Sequence, residues 1–345
     1  MTGKVILRLI SAVLLTLIVA VTPVLAQTGP AAKPMYRDPV HDGAADPAIV
    51  FDEGAKLWRM FYTNRRADVK YPSIEDVSWV HGTHIGVATS KDGLHWSYDG
   101  IANIPEHCTG PTLWAPDIIF TRGEYHMYLT VVNGVFKAWG DPAAKPRIVH
   151  LTSRDLKSWA CQGEPDLGSS TVIDVSTLEM SPGTYRMWYK DMKEGRIYSA
   201  KSDDLKSWVR DDKPAFAGRG EGPKVIRLDG IYWMLIDSWK GLSIQRSEDG
   251  VNWEWQPDRI LEMPGIYPTD REKGQHADVV VSREADGTER ALIYYFVHQG
   301  QEDAAKTDPY WQHRTVLQVA ELRVVNEHMS VDRNAAVTQG LASGR

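Results

Sequence analysis

The sequence predicts an all-β chain, a five-bladed β-propeller with four antiparallel strands in each blade. Two observations carry that expectation. First, one pattern recurs five times. A strand with a polar residue near its start is followed by an aromatic-rich strand, a third strand, and a short turn that usually ends in Trp. Second, the turns are Asp-Gly (Asp92-Gly93, Asp249-Gly250) or Asp-Leu (Asp155-Leu156, Asp204-Leu205). Asp and Gly tolerate the backbone angles of tight hairpins. A repeat of this period built only of strands closes as a propeller, because one unit cannot bury its own faces.

The elements follow in chain order. Residues 1–26 read as a secretory signal peptide. Lys4 and Arg8 precede or interrupt an apolar run over residues 10–21, and Val24-Leu25-Ala26 ends in a small residue suited to cleavage. The run is short for a bilayer span and no stop-transfer pattern follows. The mature protein is therefore expected to be soluble, periplasmic or secreted, and without a membrane partner. Residues 27–33 read as a linker, 34–327 as the propeller, and 328–345 as a polar tail. The five copies begin at Asp46, Trp114, Val172, Gly220 and His276.

Bulk composition excludes some partners. The formal net charge of −6 becomes −8 once Lys4 and Arg8 leave with the leader, and no basic stripe is present. Nucleic acid is thus not an expected partner. Thirteen Trp and fourteen Tyr suit both propeller packing and sugar binding. Cys108 and Cys161 fall near successive blade junctions. An exported chain permits a disulfide between them, and two separate buried thiols fit equally well.

The chemistry is expected where the first strands meet. In a propeller these strands line the central channel. Asp46, Asp117, Asp174, Glu221, and His276 with Asp278 stand at or just before apolar runs of the five first strands. A carboxylate so placed costs several kcal/mol unless it is paired, hydrated or bound to a ligand. Repetition in every blade points to a shared site at the channel mouth, with a ring of structural caps as the bland reading. Clustered carboxylates suit glycosidic hydrolysis. One acid protonates the leaving oxygen, and a second carboxylate activates water or attacks the anomeric carbon.

The ordered motifs DP, WAPD, ID, EGP and a final blade with His make the chain resemble the five-bladed glycoside hydrolases of family 43. Families 32, 62 and 117 are its relatives. The resemblance covers nearly the whole mature chain. It implies inversion of configuration, with Asp46 as general base, Asp174 as the residue that orients the acid and tunes its pKa, and Glu221 as general acid. Val175 departs from the Pro that usually follows the third-blade Asp. The resemblance gives Asp117 a substrate-binding or structural role. It implies no required cofactor. It gives His276 a place over a channel cation, often calcium, held largely through water, with substrate contact or a plain hydrogen bond as alternatives. In family 117 a His near this region can serve as the acid.

Several further residues are expected around the mouth. Arg65 and Arg66 are placed to hold a sugar hydroxyl or an acidic sugar, or to pair with local acids. The insert over residues 67–83 brings Trp79 and His81, with His84 just after it, as a substrate wall. Trp114 is a stacking platform or a core residue. Residues 134–145 are a second rim loop. The leading functional expectation is an exported glycoside hydrolase acting on a plant or algal poly- or oligosaccharide. A polysaccharide lyase and a non-catalytic carbohydrate-binding propeller stay open beside it, since fold alone does not give function.

Overall fold

The structure, a computed structural model, describes residues 29–342. The expected signal peptide lies outside the described residues. Five four-stranded antiparallel sheets are arranged as the blades of a propeller. Blade one comprises β1 (Ala44–Asp52), β2 (Leu57–Asn64), β3 (His84–Ser90) and β4 (Ser97–Ile101). Blade two comprises β5 (Thr112–Thr121), β6 (Glu124–Val132), β7 (Arg147–Ser153) and β8 (Ala160–Gly163). Blade three comprises β9 (Val172–Ser181), β10 (Thr184–Asp191), β11 (Arg196–Ser202) and β12 (Val209–Arg210). Blade four comprises β13 (Glu221–Leu228), β14 (Ile231–Asp237), β15 (Leu242–Ser247) and β16 (Glu254–Ile260). Blade five comprises β17 (Gln275–Arg283), β18 (Glu289–His298), β19 (Thr315–Val325) and β20 (His328–Val331). Among the described residues, no helix is long and apolar enough to cross a membrane.

The repeated turn has a local cause and a tertiary consequence. In four blades a Ser hydroxyl accepts the N–H three residues on (Ser90 from Gly93, Ser153 from Leu156, Ser202 from Leu205, Ser247 from Gly250). That third residue is left-handed, with φ of 74°, 58°, 64° and 71°. Gly takes this conformation freely. Leu156 and Leu205 take it at a strain cost of about 1–2 kcal/mol, which burial of the side chain, worth roughly 1.5–3 kcal/mol, offsets. The Trp that closes each turn then packs edge-on against the second strand of the preceding blade. The pairs are Trp96–Tyr294, Trp159–Phe61, Trp208–Tyr128 and Trp253–Trp188. One local motif thus sets both the hairpin and the blade-to-blade contact. Blade five turns instead through Asn326 and Glu327, both at positive φ, as a two-residue hairpin demands.

The structure extends the expected domain at both ends. The tail does not begin at residue 328, because β20 forms the outer strand of blade five. Beyond it Val337 and Leu341 are buried in the core between blades one and five, together with Ala31. The Ala31 N–H donates to the Val337 carbonyl at 2.8 Å, and the Leu341 N–H to that of Asp92 at 2.8 Å. The expected linker and tail therefore both pack on the seam where the ring closes. Cys108 and Cys161 form a disulfide that ties the connection entering blade two to β8.

Candidate active site

Every first strand slips register at its start. The pairing breaks between Ala45 and Ala48, Trp114 and Asp117, Glu221 and Lys224, and Gln275 and Ala277, and across from β9 between Trp188 and Lys190. These are β-bulges, which bend a strand and re-aim a side chain. Asp46, Ala115, Asp174 and Gly222 occupy the bulge in left-handed backbone, with φ of 49°, 41°, 57° and 55°. Asp tolerates this region better than most residues, and Gly freely. Gly222 is also needed for room, since a Cβ there would lie 2.7 Å from the His276 ring.

The polar residues expected in one ring therefore occupy different levels. At the mouth, Asp46, Asp174 and Glu221 meet His276. His276 Nδ1 lies 3.3 Å from Asp46 Oδ1, and Arg65 Nη2 lies 3.4 Å from the same oxygen. Asp174 Oδ2 accepts the Gly222 N–H at 3.1 Å, and Glu221 Oε1 accepts the Trp239 indole N–H at 3.0 Å. The ends of the second strands buttress this level. Thr63 Oγ1 accepts from the Ala115 N–H, Thr130 Oγ1 from Asp174, and Asp237 Oδ2 from His276, while Lys190 Nζ donates to the Gly220 carbonyl.

Two residues past the bulge lies a deeper level. Lys224 Nζ sits 2.7 Å from Asp278 Oδ1 and 3.2 Å from Asp117 Oδ1. Asp117 also accepts the Thr177 N–H, Ser176 the Val225 N–H, and Asp278 the Ile49 N–H. Each such bond joins one blade's first strand to the next. Asp117 is thus a structural residue of the channel; of its two expected roles, substrate contact is not supported, because Asp117 does not line the cavity.

Electrostatics separates the carboxylates. Burial alone would raise Asp46, but the Arg65 guanidinium and His276 outweigh it and hold this carboxyl well below the usual range. Burial pushes Asp174 up to about 7, and the nearby Glu221 and Asp46 add to the rise. His276 goes up to about 9, because Asp46, with Asp174 and Asp237, overcomes the burial that opposes its charge. Asp237 rises to about 6, through burial first and then Glu221. At neutral pH the mouth thus holds an ionised Asp46 against an imidazolium, with the blade-three carboxyl of Asp174 partly protonated.

A cavity of about 320 Å³ opens over these groups, and Asp46, Arg65, Asp174, Glu221 and His276 line it. Its apolar wall comes from the expected rim loop, with Phe136 and Trp139, together with Trp114 and His81. His81 lies 4.9 Å from the Trp114 ring and 5.5 Å from Phe136. Trp139, 66% exposed, stands 6.3 Å from Trp114. Trp114 is held by an indole bond to the Val80 carbonyl. Two expected wall residues are corrected. Trp79 is buried, stacked on His313 at 4.4 Å and under the Arg65 guanidinium at 6.0 Å, so it backs Arg65. His84 is exposed at the start of β3 and does not line the cavity. Sequence reasoning missed Lys190, Lys224, Asp237 and Trp239. Only Lys224 had a positional signal: it follows Gly222 by two, as Asp278 follows His276.

The residues do not fit the expected channel cation. Asp278 Oδ1 already meets Lys224 and the Val279 N–H, and its Oδ2 meets the Ile49 N–H. His276 Nδ1 faces Asp46, and among the described residues no cluster of three or more His, Cys, Asp or Glu is arranged around a metal. The Lys224 ammonium supplies the positive charge at that depth.

No family model matches the sequence. Solved structures do match in three dimensions. A thermostable family-43 glycoside hydrolase superposes with a TM-score of 0.61 at 16% identity, covering 90% of this chain and 99% of that one. The fold is that of the family 43 glycoside hydrolases. A family 43 β-xylosidase/α-arabinofuranosidase from a compost microbial metagenome, in complex with xylotriose and in a calcium-free form, gives 0.62 at 15% identity, covering 88% and 97%. A family 43 enzyme from Xanthomonas citri complexed with xylose gives 0.59 at 12% identity, covering 90% and 93%.

Proposed function

We propose that this protein is a glycoside hydrolase that cleaves an oligo- or polysaccharide with inversion. Asp46 is the general base, Glu221 the general acid, and Asp174 the group that orients Glu221 and keeps a proton in its neighbourhood. The observation that carries this reading is the convergence of three carboxylates from blades one, three and four on the floor of one aromatic-walled cavity. Inverting hydrolysis needs a base and an acid on opposite sides of a sugar ring. Asp46, kept ionised by Arg65 and His276, has the charge state of a base that activates water. The wall of Trp114 and Trp139 suits the apolar face of a sugar. A lyase is disfavoured, because His276, raised to about 9, carries its proton at neutral pH and is not free to abstract one. The xylotriose and xylose bound to the two structural relatives make xylosides and arabinosides the first substrates to try. The signal-peptide pattern read over residues 1–26 supports a location outside the cytoplasm, and the Cys108–Cys161 disulfide supports an oxidising compartment.

The test uses the mature protein on a panel of aryl glycosides and oligosaccharides, with reducing-end detection. Glu221→Gln is expected to lower kcat on an unactivated glycoside by about 10²–10⁴ while the fold is kept. Proton NMR of early product is expected to show the anomer opposite to the substrate. Near-normal turnover by Glu221→Gln removes Glu221 from the acid role. A retained anomer means a covalent nucleophile and overturns the inverting assignment.

A further inference from the structure

One carboxyl oxygen of Glu221 is already engaged. Trp239 lies in the four-residue connection between β14 and β15, and its indole N–H donates to Glu221 Oε1 at 3.0 Å. The backbone of Trp239 is left-handed, with φ of 59°, a conformation that bulky L-residues avoid. Its surroundings enforce it. The Trp239 N–H donates to Asp237 Oδ1 at 2.8 Å, and Ser238 closes the turn on the Gly241 carbonyl through both its N–H and its hydroxyl. The Lys190 ammonium and the Arg219 guanidinium lie 6.0 and 5.9 Å from the indole ring. A strained residue held this firmly beside a reactive group points to a use for its position.

The chemistry supplies that use. Indole N–H is a donor only. A neutral carboxylic acid accepts best on its carbonyl oxygen, so the indole marks Oε1 as the carbonyl and leaves the proton on Oε2. We propose that Trp239 is the positioning residue of the acid, holding Glu221 so that Oε2 delivers its proton to the glycosidic oxygen. The inference rests on Glu221 being that acid. In the step, the C1–O bond breaks and its electron pair goes to the leaving oxygen, which takes the Oε2 proton. Water oxygen bonds to C1, and its proton goes to Asp46. As Glu221 becomes an anion, the indole bond becomes charge-assisted and stronger. An interaction that strengthens along the reaction accelerates it.

The consequence is selective for poor leaving groups, which need the acid, over good ones, which do not. The test compares Trp239→Phe and Trp239→Gly with the parent on two aryl glycosides of one sugar. One releases a weakly acidic phenol and the other a dinitrophenol. Phe keeps a ring without a donor, and Gly suits the left-handed backbone should Phe fail to fold. Both variants are expected to lose about tenfold or more in kcat on the phenol substrate, the worth of one hydrogen bond to a charged group. On the dinitrophenol substrate the change is expected to be within about twofold. The alkaline limb of the kcat profile is expected to move up by roughly one pH unit, because the anion has lost a donor. Asp174, Lys190 and Asp237 act on the same carboxyl, His276 acts on Asp174 and Asp237, and all four stay in place, so the parent profile is the control for them. Equal losses on both substrates with a raised KM and an unmoved limb would make Trp239 a sugar contact and overturn the proposal, as would no change at all. If Glu221→Gln retains its activity on the phenol substrate, the acid assignment itself has failed, which is a separate result.

Discussion

Lys224→Met is expected to cost about 4 kcal/mol of folding stability at pH 7. Lys224 Nζ lies 2.7 and 3.2 Å from two carboxylates that are almost wholly buried. At an effective dielectric of about 20, each contact corresponds to roughly 5–6 kcal/mol of bare attraction, much of which desolvation offsets. Removing one partner is another matter, because Asp117 and Asp278 are then left as like charges with only backbone N–H groups to steady them. One of them can escape by taking a proton. From an ordinary Asp pKa of about 3.9, that costs about 4 kcal/mol at pH 7 and about 1.5 kcal/mol at pH 5. In the variant the folded-state pKa lies above the unfolded one, so the destabilisation is present at higher pH and fades as pH falls. Urea unfolding of parent and variant at pH 7 and pH 5 measures both numbers. The reasoning fails if the loss at pH 7 is under about 1 kcal/mol, or if it does not shrink at pH 5. A parallel scan with a chelator is expected to leave the parent's Tm unchanged. A fall restored by calcium would show that a divalent ion, and not Lys224, neutralises this level.

Two further outcomes are expected. The disulfide Cys108–Cys161 spans a sequence separation of 53, and a loop of that length corresponds to about 4 kcal/mol of chain entropy; the double Ser variant should unfold at clearly lower urea, and an unchanged midpoint would refute this. His276 is raised from its ordinary 6.5 to about 9, so it contributes stability below pH 6.5 that is lost as pH rises through 9, about 3 kcal/mol in all. A His276→Gln variant should lack that alkaline loss, and superimposable stability profiles of parent and variant would rule the ion pair out.

Some of this was legible because it is local. A Ser-x-Asp turn and a closing Trp lie within seven residues, so four of the five blades announce their own hairpin. Asp46, Asp174 and Glu221 were legible because a charge at the head of an apolar strand has few uses. What the sequence hid is register. A one-residue slip sends a strand's side chains to the other face, and every first strand slips at its start. Glu221 precedes the bulge, Asp46 and Asp174 sit on it, and Asp117 and Asp278 follow it by two. Only the folded register separates a mouth from a deeper layer. Lys224 was hidden for a related reason: lysine reads as a surface residue until two buried carboxylates are seen to face it. The outer strand of blade five was hidden because its turn, Asn326-Glu327, lacks both the Ser-x-Asp pattern and the Trp of the other four.

The bulge also constrains how the site is to be probed. Asp46 and Asp174 are at once the polar groups of the mouth and the left-handed residues of their strands. Strain at such a position is of order 1–3 kcal/mol, and Asp bears it because its short polar side chain suits this region. Alanine at either place removes the carboxylate and worsens the backbone fit together, so a lost activity there mixes chemistry with displacement of the strand. Asn removes the charge, keeps the shape and tolerates positive φ. Activity lost in Asp46→Asn with an unchanged Tm would therefore report on the base itself.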